Sequence, residues 1–211
     1  MSSACWNRNS IRRLIWKILN WSSLIQLIRS APSLKEKHKK ERNMKTKIFK
    51  AGQQHADACM QILKNSELGK RYYPNDDSML SKIKEGIAED EFYAVSCDDR
   101  ILGFIWFRLN GAFSSFPYLH MIVVDEKCRN CGIGQKLITY YEQRSLELTK
   151  SLRTKSFLVV ADFNEKAHSL YRRLGYEDLL PIKGLYRKGI TENFMVKNII
   201  RDRSYQGWCT E

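Results

Sequence analysis

The segment Val123-Val124-Asp125-Glu126-Lys127-Cys128-Arg129-Asn130-Cys131-Gly132-Ile133-Gly134 constrains this chain more than any other. An apolar run from Leu119 to Val124 ends in a polar loop with two closely spaced glycines. A helical pattern follows at once, with Leu137, Ile138 and Tyr141 on one side. A strand–loop–helix unit of this kind points backbone N–H groups and the positive end of a helix at one spot, which suits a phosphate. Glycine fits there because a Cβ would hold a ligand away from the amides.

The net charge of +13 suggests a nucleic-acid or membrane partner only if it is spread over the whole chain. It is concentrated instead. Residues 1–50 hold thirteen Lys/Arg against two acids, and the remaining 161 residues carry a net of only +2. A whole-protein case for nucleic-acid binding therefore fails, and none is expected as a partner. The 211 residues suffice for one domain and an extension. The six cysteines, at 5, 59, 97, 128, 131 and 209, are too sparse for a disulfide framework and read as reduced thiols in a cytoplasmic protein. Cys128 and Cys131 form a lone CxxC. With no second Cys/His pair at zinc spacing it argues weakly for metal, and none is expected.

Residues 1–34 lack Asp and Glu, and Ile11, Leu14, Ile15, Ile18, Trp21, Ile25 and Ile28 share one arc of a helical wheel. Such a basic amphipathic helix can lie on an anionic membrane surface or act as a presequence; equally, it can be an extension unrelated to the domain's work. Membrane contact is expected only through residues 8–29, and no run is long enough to span a bilayer. The organisation read from the chain is an extension and linker over 1–43, a domain over 44–200 and a tail over 201–211.

Within the domain, strands are expected at 45–50, 92–97, 101–109, 118–124, 157–160, 176–180 and 194–199. Helices are expected at 53–63, 78–88, 132–150 and 164–174. Asp98 and Asp99 make a hairpin turn, Gly175 stops the last helix, and Tyr72, Tyr73 and Pro74 fall in a loop.

Arg129-x-x-Gly132-x-Gly134 resembles the acyl-CoA pyrophosphate loop of the GCN5-related N-acetyltransferases. Asn164-x-x-Ala167-x-x-Leu170-Tyr171-x-x-x-Gly175-Tyr176 resembles that family's second signature, the helix that closes over the coenzyme A arm. The two motifs stand in the family's order, with a strand between them, and the resemblance covers residues 45–200. It implies an α/β (α+β) fold with a mixed, mostly antiparallel sheet of about seven strands flanked by four helices. It also implies acetyl transfer from acetyl-CoA, used as co-substrate, to a primary amine of a small molecule or a protein. The resemblance assigns coenzyme binding to Ile122, Val123, Val124, Arg129, Asn130, Cys131, Gly132, Ile133, Gly134, Gln135, Asn164 and Tyr171. In particular, the backbone at Val123 and Val124 would hold the pantetheine in a slot between Val124 and Val159. Many family members carry glycine where this chain has Asn130, a residue that tolerates positive φ.

Acetyl transfer has three demands: hold the pyrophosphate, deprotonate the incoming ammonium and protonate the departing thiolate. The resemblance places Tyr171 by the thioester sulfur, where a phenol of pKa about 10 can protonate a thiolate whose acid has pKa about 8.5. Read from the residues alone, Tyr171 is equally a core tyrosine and Asn164 an ordinary helix N-cap. Arg129 either contacts phosphate or faces solvent. His120, on the strand before the loop, is the best candidate base. A structural histidine or a water relay remains open, and strict alternation groups Tyr118, His120 and Ile122 on one face. Acceptor specificity is expected from loops at 72–77, 110–116 and 185–190, which carry Tyr72, Tyr73, Phe113, Phe116 and Tyr186.

Direct attack in a ternary complex is favoured over a ping-pong route through Cys97 or Cys128, neither of which has a histidine nearby in sequence. Two rivals stand beside the enzyme. One is an acyl-CoA-binding sensor without catalysis; the other is a membrane-surface protein acting through its N-terminal helix. The chain is read as a monomer or homodimer.

Overall fold

A computed structural model describes residues 45–202, which form part of one compact unit. The N-terminal helix, its membrane contact and the end of the C-terminal tail lie outside the described residues. Seven strands form one sheet: β1 (Lys47–Lys50), β2 (Glu91–Cys97), β3 (Arg100–Ala112), β4 (Phe116–Val124), β5 (Arg153–Ala161), β6 (Glu177–Lys183) and β7 (Thr191–Ile200). Their order is β1-β2-β3-β4-β5-β7-β6. Every neighbouring pair is antiparallel except β4–β5. Parallel neighbours need a crossover, and helix α4 (Ile133–Leu148) supplies it.

The sheet separates two cores. Helices α1 (Ala56–Lys64) and α3 (Asp76–Glu89) cover one face. There Cys59, Leu63 and Ile83 meet Phe92, Phe104, Trp106 and Met121. Helix α4 and helix α5 (Glu165–Arg173) cover the other, where Leu137, Tyr141 and Tyr171 meet Ile105, Phe107, Leu119 and Leu158. The helical wheel explains the division. Ala56, Cys59, Met60 and Leu63 form a single buried stripe on α1, and the polar positions between them face water.

The strand count and order agree with the sequence reading, and the helix count differs. A fifth helix, α2 (Glu67–Tyr72), takes up the first part of the expected loop. Ser66 caps it by accepting from the Gly69 N–H at 3.0 Å, Glu67 lies in the first turn, and Lys70 and Arg71 lie in the last. That charge order suits a helix dipole and outweighs the loop signal of Tyr72-Tyr73-Pro74.

Local signals elsewhere hold. Asp98 and Asp99 both have positive φ, at 47° and 63°, as a tight two-residue hairpin turn demands. Helix α5 closes in a full Schellman motif. The Gly175 N–H donates to Arg172 O and the Tyr176 N–H to Tyr171 O, each at 3.0 Å, while the rings of Tyr171 and Tyr176 pack edge to face at 5.8 Å. No helix among the described residues is long and apolar enough to cross a membrane.

Candidate active site

Strands β4 and β5 pair at only two positions, Tyr118 with Phe157 and Leu119 with Leu158. Beyond them the strands part. On its other edge β4 carries a bulge: Phe107 faces Leu119 and Trp106 faces Met121, so His120 is the extra residue. A cleft of about 450 Å³ occupies the opening, lined by Leu119, His120, Met121 and Ile122 of β4, by Val159, Val160 and Ala161 of β5, and by Asn164, Ala167 and Tyr171 of α5. The slot thus opens beside Ile122, lower on β4 than the Val124 expected from the sequence. A larger hollow of about 800 Å³ lies against α1, lined in part by the exposed Gln54, Gln61, Asn65, Arg100 and Glu126, and contains none of the expected site residues.

Tyr171 is 5% exposed, and burial pushes its phenol well above the ordinary value, so it stays protonated throughout the physiological range. It packs in the α4/α5-side core and also lines the cleft. Asn164 occupies the N-cap position of α5 yet makes no side-chain capping bond, and the residue borders the cleft.

The bulge corrects the alternation read from the sequence. Ile122 pairs with Ile105 and packs into the α4/α5-side core, whereas the His120 ring lies on the opposite face, 3.9 Å from that of Trp106 and 6.3 Å from that of Tyr118. His120 as a residue is exposed, but its ring sits at the cleft wall. Desolvation there, followed by the Lys82 charge, lowers its pKa from 6.5 to about 4. It is neutral at pH 7.

The glycine loop has the shape its sequence implies. Asn130 and Gly132 both lie in the left-handed region, with φ of 64° and 83°. Gly132 is the N-cap of α4, which has no side-chain cap and no acid in its first turn. The first intrahelical donor is Lys136, bonded to Gly132 O at 3.0 Å, so the amides of Ile133, Gly134 and Gln135 have no partner within the helix. A Cβ on Gly132 would meet nothing within 4 Å, whereas one on Gly134 would reach Leu170 Cδ2 at 3.3 Å. The first glycine thus serves conformation, and the second lets α5 approach the helix start. Arg129 is exposed, its guanidinium 3.5 Å from Val124 O and 4.0 Å from Glu126. Cys131 donates to Arg129 O at 3.4 Å, and Cys128 is buried in the core. Among the described residues no three His, Cys, Asp or Glu gather as a metal ion would require. Loop residues 129–135, with Val123 and Val124, do not line the cleft itself.

The far wall of the cleft comes from α2 and the residue after it, α3, the β6–β7 loop and the start of β7: Leu68, Tyr72, Tyr73, Lys82, Tyr186, Arg187 and Glu192. The Tyr72 hydroxyl donates to Glu192 Oε1 at 2.7 Å, and the hydroxyls of Tyr118 and Tyr186 are 3.0 Å apart. Three of the five aromatic residues singled out in the sequence are therefore here. Phe113 and Phe116 instead pack on Phe157, outside it. Sequence reasoning missed Glu192 and Lys82. A glutamate at a strand start reads as solvated, and this one is 1% exposed on a strand, β7, that lies between β5 and β6 and pairs with both.

The model of the acetyltransferase (GNAT) family matches residues 56–176. The chain belongs to that family. No curated protein matches it significantly in sequence. Among solved structures it is similar to a GNAT-family acetyltransferase from Bacillus cereus, with 22% identity and a TM-score of 0.60, over 74% of this chain and 99% of that one. It is similar also to Ard1 from Thermoplasma volcanium, with 17% identity and a TM-score of 0.62, over 74% and 99%. A third likeness is to an aminoglycoside 6'-N-acetyltransferase solved with coenzyme A, with 18% identity and a TM-score of 0.56, over 71% and 93%. At such identities the likeness establishes the GNAT fold.

Proposed function

We propose that residues 44–200 form a domain that transfers an acetyl group from acetyl-CoA to a primary amine by direct attack in a ternary complex. The observation that carries this reading is the opening between β4 and β5, which pair at only two positions, with Tyr171, Asn164 and Ile122 lining the opening. The edge of β4 beyond Leu119 pairs with no residue of β5, leaving backbone groups that an extended amide-bearing arm can meet as a substitute strand.

The residues present fit the co-substrate. The free amides of Ile133, Gly134 and Gln135 and the αL turns at Asn130 and Gly132 would hold the pyrophosphate, with Arg129 and Cys131 flanking it. Ile122, Val123 and Val124 would hold the pantetheine through their backbone, and Asn164 through its uncapped side chain. Bound acetyl-CoA supplies an activated thioester. Tyr171, kept protonated by burial, would offer its hydroxyl as a hydrogen-bond donor to the thiolate as it departs.

His120 fits a hydrogen-bonding role better than that of a strong base. A group titrating at about 4 cannot readily take a proton from an ammonium of pKa about 10.4, so the attacking nitrogen would lose its proton to solvent rather than to His120. Direct attack is supported by the thiols. Cys128 is buried, and partial desolvation followed by the Asp98 carboxylate raises the Cys97 thiol, so neither is poised as a nucleophile.

Calorimetric titration of acetyl-CoA into the full chain tests the reading. Micromolar binding with thiol release on addition of primary amines supports it. A folded protein that binds no acetyl-CoA overturns it, and binding without turnover on any amine would leave a sensor in its place.

A further inference from the structure

Glu192 stands near the start of β7, opposite Ala161 of β5 and Ile182 of β6, and is 1% exposed. Its Oε1 accepts from the Tyr72 hydroxyl at 2.7 Å. Its Oε2, equally shut off from solvent, accepts no hydrogen bond among the described residues. The residue nevertheless lines the cleft. A buried carboxylate oxygen without a donor is costly, and the cost disappears when a cation meets it.

The surroundings suit a cation. The Tyr72 ring lies 6.3 Å from that of Tyr186, both line the cleft, and aromatic faces attract alkylammonium groups; the neighbouring Phe163 ring already carries the Arg71 guanidinium, 4.4 Å from its centre. The Asp162 carboxylate is close by, accepting from the Thr191 N–H at 3.1 Å. The two cations bordering the cleft are engaged elsewhere: Lys82 pairs with Glu85 at 2.6 Å, and Arg187 donates to the Tyr72 carbonyl.

We infer that Glu192, flanked by Tyr72 and Tyr186, binds a second cationic group of the acceptor, distinct from the nitrogen that is acetylated. The distinction follows from the chemistry. A carboxylate in contact with an ammonium favours its charged form, and a charged nitrogen cannot attack a thioester. The acceptor class is therefore an amine bearing at least two amino groups. This inference rests on the acetyl-transfer reading and specifies its substrate.

The test uses the full chain saturated with coenzyme A, titrated calorimetrically with 1,4-diaminobutane, 1,5-diaminopentane and the monoamine n-pentylamine. The expected result is a preference of about tenfold or more for a diamine, lost in Glu192→Gln, with coenzyme A affinity unchanged within about twofold. A preference that survives Glu192→Gln overturns the inference, and so does a wild-type protein that binds coenzyme A but discriminates against monoamine no better than about twofold. If the glutamine variant fails to fold, as circular dichroism would show, Glu192→Leu takes its place, and an undiminished preference there overturns the inference. Absence of coenzyme A binding by the wild type instead overturns the acetyl-transfer reading on which the inference stands.

Discussion

Leu119 of β4 and Leu158 of β5 form the last pair before the two strands part, and both are buried in the core beneath α4 and α5. The pair closes the base of the cleft with apolar packing. Beyond it, His120, Met121 and Ile122 on one strand and Val159, Val160 and Ala161 on the other line an opening that the fold leaves unfilled by its own strands.

Tyr171→Phe removes a hydroxyl and retains the ring contact with Tyr176. Acetyl-CoA affinity should be unchanged and kcat should fall about 10²-fold, the usual worth of a positioned proton donor. Thiol release under saturating acetyl-CoA measures this. An unchanged kcat would remove Tyr171 from the chemistry.

Gly132→Val places a β-branched side chain at φ 83°, where no neighbour blocks it but the backbone conformation does. Acetyl-CoA binding should be lost, and thermal unfolding should show a cost of about 1–2 kcal/mol. Asn130→Gly, at φ 64°, should leave binding intact because glycine adopts that region without strain.

Lys197→Met should be the most destabilising of these changes. Lys197 Nζ lies 2.8 and 2.7 Å from the two oxygens of Glu142, which is 6% exposed, and burial already raises the Glu142 pKa despite this partner. Removing the cation leaves a buried carboxylate with only the Tyr176 hydroxyl to meet it, at a cost of about 3 kcal/mol by chemical denaturation. The double variant with Glu142→Gln should recover part of the loss.

Stability should fall in mild acid through His120. Its folded pKa of about 4 lies below the unfolded value near 6.5, so between them the unfolded chain binds more protons. The contribution is complete above pH 6.5 and is lost as pH falls toward 4. Solvent contact at the residue limits the effect to on the order of 1 kcal/mol. His120→Asn should flatten this part of the stability–pH curve, read as unfolding midpoints across the window.

What the sequence determined by itself was local or periodic. The positive φ at Asn130, the Asp98–Asp99 turn, the Gly175 stop and the apolar stripes are each written in a few neighbouring residues, and each has its expected form. The α2 helix was legible too, in Ser66 and the charges that follow it, but aromatic residues and Pro74 masked the signal. Tertiary structure alone decided the rest. The bulge that separates His120 from Ile122 depends on how β3 and β4 register, since period-two alternation carries no mark of an inserted residue. Glu192 became a buried carboxylate only when β7 was laid between β5 and β6 and Tyr72 was brought to it from 120 residues away. Contacts at that separation leave no trace in either local stretch of chain, because neither one contains both partners.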